Sequence, residues 1–428
     1  MRKRINFLWI TAFLLCLALA VLSAGCGNKE AATTGDSKEQ GDVFKVGVLT
    51  SLSGAEVYGG NITKRGYDTW ADTVNQKGGI KVGDKQYKVQ MFYADDQSDP
   101  ASGADAVERM ITKDKVDFIL GPYTSGVTLA AAPICEKYKV PMITGSAESP
   151  MIWQQKFKYT FGTIPAVNLT ASYPVNTLVS DIPGGAKTMA ILAVNDAFSK
   201  AVAESFKATA EKLGVKVVKY DIVPAGTDFT PLLGAIKGLN PDVVAVGGHE
   251  KEHMEVIKSA KSLGFLPKAF LMHYGVTNPD FVKNLGKDAE AVYGASTWTS
   301  DLDIADALFE SSKKFVETYK TKWGDEPDYT ATGCTVAGEV FGAALEKLGA
   351  KPPLSESDRE AMVTVLEDIK VDTLYGATSF AKEGDNYHNN TGLEGLTIQI
   401  QGGAVKIVGP KDKKLAEPIY PAPAWDKR

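Results

Sequence analysis

The sequence predicts an α/β fold of two lobes, each a doubly wound parallel sheet. Three observations predict it. From Val43 onward, short apolar and β-branched runs alternate with amphipathic stretches of helical period, the pattern of parallel strands covered by helices on both faces. That rhythm breaks near Tyr159–Ala166 and restarts at Thr188. The roughly 385 residues that carry it exceed what one hydrophobic core ordinarily supports, so two lobes are expected.

In the first run, residues 43–50 read as a strand. Ile62, Gly66, Trp70 and Val74 then recur four apart on a helix that Gly78-Gly79 stops. Residues 87–93 read as a second strand. Asp99-Pro100 supplies an N-cap with proline at the first helical position, and Ala104, Val107 and Ile111 form the inward face of that helix. Strands over 116–120 and 140–144 flank a helix over 127–138. In the second run, strands are expected at 188–194, 215–223, 242–246 and 269–272, with helices over 197–213, 229–239 and 254–263 between them. Helices over 304–323 and 330–348 follow, and a β-rich segment over 396–407 closes the chain. Ligands in open parallel sheets bind beyond the carboxyl ends of the strands. Attention therefore falls on residues 51–60, 121–126, 145–150, 195–198, 247–253 and 273–277.

The amino terminus reads as an export signal. Arg2, Lys3 and Arg4 precede an apolar run from Phe7 to Leu22, and small residues lead to Cys26. This end resembles a bacterial lipobox, which implies a lipid on Cys26 and a signal peptide over 1–25; Ser23 stands where that pattern usually has leucine. Residues 26–42 then form an expected tether, since Gly27–Asp42 holds no aliphatic residue larger than alanine. Removing the leader takes away three positive charges and no negative ones, moving the formal net charge from −5 to −8. So acidic a body argues against nucleic-acid binding. Cys135 and Cys334 are too few and too far apart for a disulfide framework or a zinc site, and read as buried thiols.

At the strand ends, FKVGVLTSLSGAEVYGG, NQKGGI, ADDQSDP, FILGPYTSGVTLAAAPICEKYKVPMITGSA and VVAVGG with IKSAKSLGF resemble the leucine/isoleucine/valine-binding group of periplasmic-binding-protein type I components of ABC importers. The likeness runs from about Phe44 to Ile407. It implies a receptor and not an enzyme, with no cofactor and no metal. Its expected partners are importer permease subunits and the membrane, the latter through the anchor. Lobe one would be 43–164 plus 298–382 and lobe two 165–297 plus 383–420, joined by a three-segment hinge. By the same resemblance, Ser125 matches a hydroxyl that grips the ligand carboxylate, Ser146 a backbone contact, Tyr58 an aromatic wall and Phe198 an aromatic lid. His249 and Tyr274 match positions facing the ligand's amino end. Tyr123, Thr124, Ala147 and Glu148 share these loops. Amino-acid binders of the group carry an acid where Tyr274 stands and a threonine where Glu148 stands, so Glu148 is the candidate replacement for the missing acid. Amino acids, branched-chain ones among them, are the first ligand class implied; an aromatic or other small carboxylate is the alternative.

The residues themselves support the first assignment. Gly121–Gly126 turns from a strand into a helix N-terminus, where free amides and the helix dipole favour an anion and Ser125 adds a donor. Capping alone by Thr124 or Ser125 is the plainer role for the same pattern. One catalytic pattern exists: His249-Glu250-Lys251-Glu252-His253 fits H-E-x-x-H, in which two histidines four apart on a helix hold zinc and the glutamate acts as base. A zinc metallopeptidase is thus the alternative from another class. Against it, Gly247-Gly248 places His249 at a loop or first turn, and no third ligand is named; His253 is then expected as a solvated helix residue. A signalling sensor domain is a further relative of this fold, but no second membrane segment or cytoplasmic domain accompanies it here. Asp95-Asp96 reads as a strand-end turn and Asp99 as a cap. Four histidines in the chain leave little general-base capacity.

Overall fold

The computed structural model describes residues 43–428. The expected signal peptide 1–25, the lipid site Cys26 and the tether to residue 42 lie outside the described residues. Two main sheets organise the rest; their strands are numbered β1–β12 and helices of ten residues or more α1–α9. Sheet one contains β1 (Phe44–Thr50), β2 (Val89–Asp95), β3 (Phe118–Leu120), β4 (Met142–Thr144) and β5 (Thr160–Gly162) in the order β2-β1-β3-β4-β5, all parallel. Sheet two contains β6 (Thr188–Val194), β7 (Lys216–Val223), β8 (Val243–Gly247), β9 (Ala269–Met272) and β10 (Tyr293–Ser296) with β11 (Leu396–Gln401) and β12 (Ala404–Gly409). Its order is β12-β11-β10-β9-β8-β6-β7, parallel except for the last two strands in sequence, which run antiparallel. Each sheet therefore reverses its strand order beside its first strand, and that reversal opens a crevice at the carboxyl ends of the strands.

The helices are α1 (Val57–Gln76), α2 (Pro100–Arg109), α3 (Ser125–Tyr138), α4 (Ala197–Lys212), α5 (Phe229–Leu239), α6 (Glu250–Ser262), α7 (Ser312–Trp323), α8 (Tyr329–Leu348) and α9 (Glu356–Glu367). Side-chain caps set their starts: Asp99 accepts from Ser102 N–H at 2.8 Å, and Asp196 from Phe198 and Ser199 N–H at 2.9 Å each. Small residues let α8 lie hard against α1. A Cβ on Gly66 would come within 2.3 Å of the Ala331 carbonyl, and one on Gly338 within 2.2 Å of the Trp70 ring. The chain thus leaves sheet one after β5, builds most of sheet two, returns to pack α8 on α1, and ends in sheet two with β11 and β12.

Three expectations change. The helix expected from 304 begins only at Ser312: Ala305–Asp306 and Glu310–Ser311 form a small hairpin, and Ser311 caps the helix by accepting from Lys314 N–H. Residues 80–87 form a second small hairpin, Ile80–Val82 with Lys85–Tyr87, so β2 starts at Val89. The break at 159–166 holds β5, the edge strand of sheet one. Cys135 and Cys334 are both buried and unpaired.

Candidate functional site

The crevices of the two sheets face one another across a cavity of about 10 Å³ lined by Tyr123, Thr124, Ser125, Ser146, Glu148, Phe198, His249 and Tyr274. The first five follow β3 and β4 of sheet one; the other three follow β6, β8 and β9 of sheet two. That volume is about one water's worth of space, so a ligand of amino-acid size enters only as the two halves part.

On the sheet-one side, Thr124 caps α3 by accepting from Val127 N–H at 3.3 Å. Ser125 is the first residue of the helix, and its Oγ accepts from Ser149 N–H at 3.1 Å. Acceptance leaves the Ser125 O–H available to donate, beside first-turn amides that carry the positive end of the α3 dipole. Ser146 Oγ donates to the Pro122 carbonyl at 3.1 Å, tying the loop after β4 to the loop after β3. Tyr67 of α1 fastens the same two loops, donating to the Gly121 carbonyl at 2.9 Å and accepting from Gly145 N–H at 3.2 Å.

Acids crowd the remaining walls. Glu148 is 2 % exposed; Tyr329 donates to its Oε1 at 2.9 Å, and His273 Nε2 lies 3.9 Å from its Oε2. Burial pushes the Glu148 carboxyl up to about 8, with Tyr329 and His249 pulling it back only in part. His249 Nδ1 stands 3.1 Å from Tyr123 Oη and 3.8 Å from Glu56, while its Nε2 stands 4.0 Å from Asp196. Burial alone would lower that imidazole, but Glu56, Asp196, Glu250 and Glu252 outweigh it and raise it to about 9. Phe198, Tyr123 and Tyr274 surround the His249 ring at centroid separations of 5.2, 5.7 and 6.3 Å.

A model of the periplasmic binding protein family matches residues 43–395. The chain belongs to that family. Among curated relatives it is 28 % identical to the Leu/Ile/Val-binding protein BraC3 of Rhizobium johnstonii, covering 79 % of this chain and 88 % of that one. It is 25 % identical to the leucine-, isoleucine-, valine-, threonine- and alanine-binding protein of Pseudomonas aeruginosa, covering 80 % and 87 %. The fold matches a leucine binding protein from Thermotoga maritima with TM-score 0.74 at 23 % identity, over 86 % of this chain and 100 % of the other. It also matches a solute binding protein from R. palustris in complex with benzoate, TM-score 0.72 at 21 % identity, over 89 % and 97 %.

Within this family member the structure brings together eight of the ten ligand-site candidates and leaves out two. Tyr58 is 37 % exposed and does not line the cavity; its hydroxyl donates instead to Asn278 Oδ1 after β9, spanning the two halves. Ala147 is buried in a small apolar cluster with Ile152, Trp153 and Ala166. His253 is not solvated: it is fully buried, neither ring nitrogen has a partner among the described residues, and burial lowers it to about 3. The H-E-x-x-H reading loses its geometry as well. His249 is the extended N-cap of α6 and lies in the cleft, and among the described residues no three His, Cys, Asp or Glu are arranged to hold a metal ion. Sequence reasoning missed Tyr67 and Tyr329, whose hydroxyls hold the two sheet-one loops and Glu148 in place. Glu56 and His273 did lie in the strand-end segments, but nothing marked them out.

Two expected results follow from this geometry. Tyr58→Phe removes a bond across the two halves, worth about 0.5–1 kcal/mol, so ligand affinity should fall roughly two- to fivefold with the melting temperature of the empty protein little changed. The second concerns pH. Glu148 and His249 hold protons up to about 8 and 9 in the folded protein, against 4.5 and 6.5 ordinarily. Folding takes up protons, for Glu148 between about pH 4.5 and 8 and for His249 between about 6.5 and 9, so stability present at lower pH is lost as pH rises through these windows, by up to about 1.4 kcal/mol per proton per pH unit. Buried His253 and His273, both lowered to about 3, act in the opposite sense, but only below 6.5. Thermal unfolding across pH 6.5–9 should show the fall, and Glu148→Gln should flatten its part below about 8.

Proposed function

We propose that this chain is the extracytoplasmic solute-binding component of an ABC importer, closing two lobes around an amino acid. In this reading lobe one is 43–164 plus 298–382 and lobe two 165–297 plus 383–420, hinged by three crossovers. The observation that carries it is the polarity of the cavity. Its walls hold a helix N-terminus with the Ser125 hydroxyl and the buried carboxyl of Glu148. Those two groups complement the carboxylate and the ammonium of a zwitterion. An incoming ammonium favours the ionised form of Glu148, so binding would release its proton. The curated relatives named for leucine, isoleucine and valine support the ligand class.

Glu148 takes the part of the acid that the family's amino-acid binders carry at the position of Tyr274. An aromatic carboxylate is the second reading, favoured by the rings of Tyr123, Phe198 and Tyr274 around the cavity and by the fold-level likeness to a benzoate complex. The reading assigns no turnover, and it places the protein outside the cytoplasm on a lipid anchor at Cys26, with permease subunits recognising the closed form. Among the described residues no helix is long and apolar enough to cross a membrane, which suits attachment through the amino terminus.

The test is thermal unfolding of the purified protein with a panel of amino acids and small aromatic acids, with zinc and a chelator alongside. A ligand at 100 times its dissociation constant stabilises by about 2.7 kcal/mol. A shift by amino acids supports the first reading, and a shift by benzoates alone supports the second. A response to zinc alone, lost in His249→Ala, would replace both.

A further inference from the structure

Asn389 and Asn390 are fully buried, and their amides bond backbone atoms that lie 223 to 227 residues earlier in the chain. Asn389 Oδ1 accepts from Ala166 N–H at 2.8 Å, while its Nδ2 donates to the Ile164 carbonyl at 2.7 Å. Asn390 Nδ2 donates to the Thr163 carbonyl at 2.9 Å, and its Oδ1 accepts from Gly392 N–H at 3.0 Å. Two backbone bonds run alongside, from Gly162 N–H to the His388 carbonyl at 3.0 Å and from Asn390 N–H to the Gly162 carbonyl at 2.8 Å. Residues 162–166 leave β5, and residues 388–395 lead into β11 of the other sheet. These bonds therefore stitch one passage between the halves to another. Buried amides whose groups are matched in this way hold their partners rigidly.

The stitched pair is fastened to the half that holds sheet one. Thr163 N–H donates to the Thr144 carbonyl at 3.0 Å, and its hydroxyl donates to the Gly333 carbonyl at 3.0 Å. His388 is fully buried; it stacks on Phe161 and Tyr387 at centroid distances of 3.9 and 3.7 Å, and its Nε2 stands 3.0 Å from Glu367 of α9. Beyond the stitch, a Cβ on Gly395 would stand 2.5 Å from the ring of Tyr173, which belongs to a short helix packed on β11. The later passage thus changes halves within residues 391–394, and residues 383–390 stay with sheet one. The earlier passage reaches the cavity one residue past the stitch: Val167 N–H donates to the Glu148 carbonyl at 2.9 Å, and Glu148 lines the cavity.

We propose that Asn389 is a positioning residue for closure. It fuses two of the three passages into one strap and holds that strap against the Glu148 loop, so that cavity and pivot move together. This rests on the closing-lobe reading. Neither Asn389 nor Asn390 lines the cavity, so their influence on a ligand passes through the backbone.

Asn75 supplies the comparison. It accepts from Val89 N–H and donates to the Val89 carbonyl at 2.9 Å each, the same pair of bonds made wholly within the sheet-one half. Asn389→Asp and Asn75→Asp each keep the acceptor and lose the donor. The two are compared by hydrogen exchange and small-angle X-ray scattering of the purified protein with no solute added. Asn389→Asp should speed exchange roughly ten-fold or more, both in the strap and in the Glu148 loop at 145–150, and should shift the radius of gyration. Asn75→Asp should speed exchange only around β2 and leave the radius of gyration unchanged. Should Asn389→Asp not fold, Asn390→Ala loosens the same strap at Thr163 and is read in the same way. Strap variants that leave both the 145–150 loop and the radius of gyration unchanged overturn the inference, as does Asn75→Asp changing both equally. A wild-type protein that binds L-leucine or benzoate without becoming more compact loses the closing-lobe reading itself, and this inference with it.

Discussion

Ser125→Ala should weaken ligand binding by roughly 10- to 150-fold, the loss of about 1.5–3 kcal/mol expected when a hydrogen bond to a charged group disappears. Ser125 stands at the first position of α3, where its O–H and the helix-terminal amides converge on the cavity. The same substitution strips the buried Ser149 N–H of its acceptor, so a fall in melting temperature accompanies the loss of affinity. Thr124→Ala separates the two effects. It removes the N-cap, at a cost of about 1 kcal/mol in stability, yet leaves the Ser125 hydroxyl in place. If Thr124→Ala weakened binding as much as Ser125→Ala at a similar cost in stability, helix capping would explain both and the carboxylate grip would be lost.

Gly145→Ala should destabilise the fold by about 3 kcal/mol, the upper part of the usual range for overpacking. A Cβ there would stand 2.4 Å from Cys334 Cα, 2.5 Å from Cys334 N and 2.5 Å from the Gly333 carbonyl. These are backbone atoms in the first turns of α8, which is itself pressed onto α1, so they cannot swing aside as a side chain does. The loop after β4 must move instead, and it carries Ser146 and Glu148. Affinity should therefore drop by ten-fold or more in whatever folded fraction remains. Gly234→Ala is the contrast: in the interior of α5 with nothing within 4 Å of its would-be Cβ, it should stabilise by about 0.5–1 kcal/mol. Chemical denaturation of the two variants separates crowding from helix propensity. A tolerated Gly145→Ala would mean that the β4 loop is not held against α8 as described.

Much of the architecture is legible in the residues because parallel strands and their covering helices differ in period. Strand Thr188–Val194 and helix Phe229–Leu239 match their sequence signals residue for residue. The strand-end rule then drew attention to the loops that do converge, since each doubly wound sheet opens its crevice on that side. What stayed hidden depends on distance along the chain. Nothing near Tyr329 announces that its hydroxyl reaches Glu148, which lies 181 residues earlier. His253 sits one helical turn beyond His249 among charged neighbours and reads as solvated, yet packing turns it inward to full burial. The hairpin at 305–311 was masked because its apolar residues fit a helical period equally well. It took a left-handed Glu310, at φ 71°, to break the helix there.

The pairing of β10 with β11 bears on how the chain matures. Tyr293–Ser296 lies beside Leu396–Gln401 in sheet two, with all of α7, α8 and α9 between them in sequence. At synthesis rates of about 5–20 residues per second, the later strand emerges roughly 5–20 s after the earlier one. Until then β10 has an unpaired edge, and a nascent sheet with an open edge is prone to pair with the wrong neighbour. Closure of that edge therefore comes only once residues 396–401 have emerged. It also makes the carboxyl-terminal strands the step at which truncated or stalled products would aggregate.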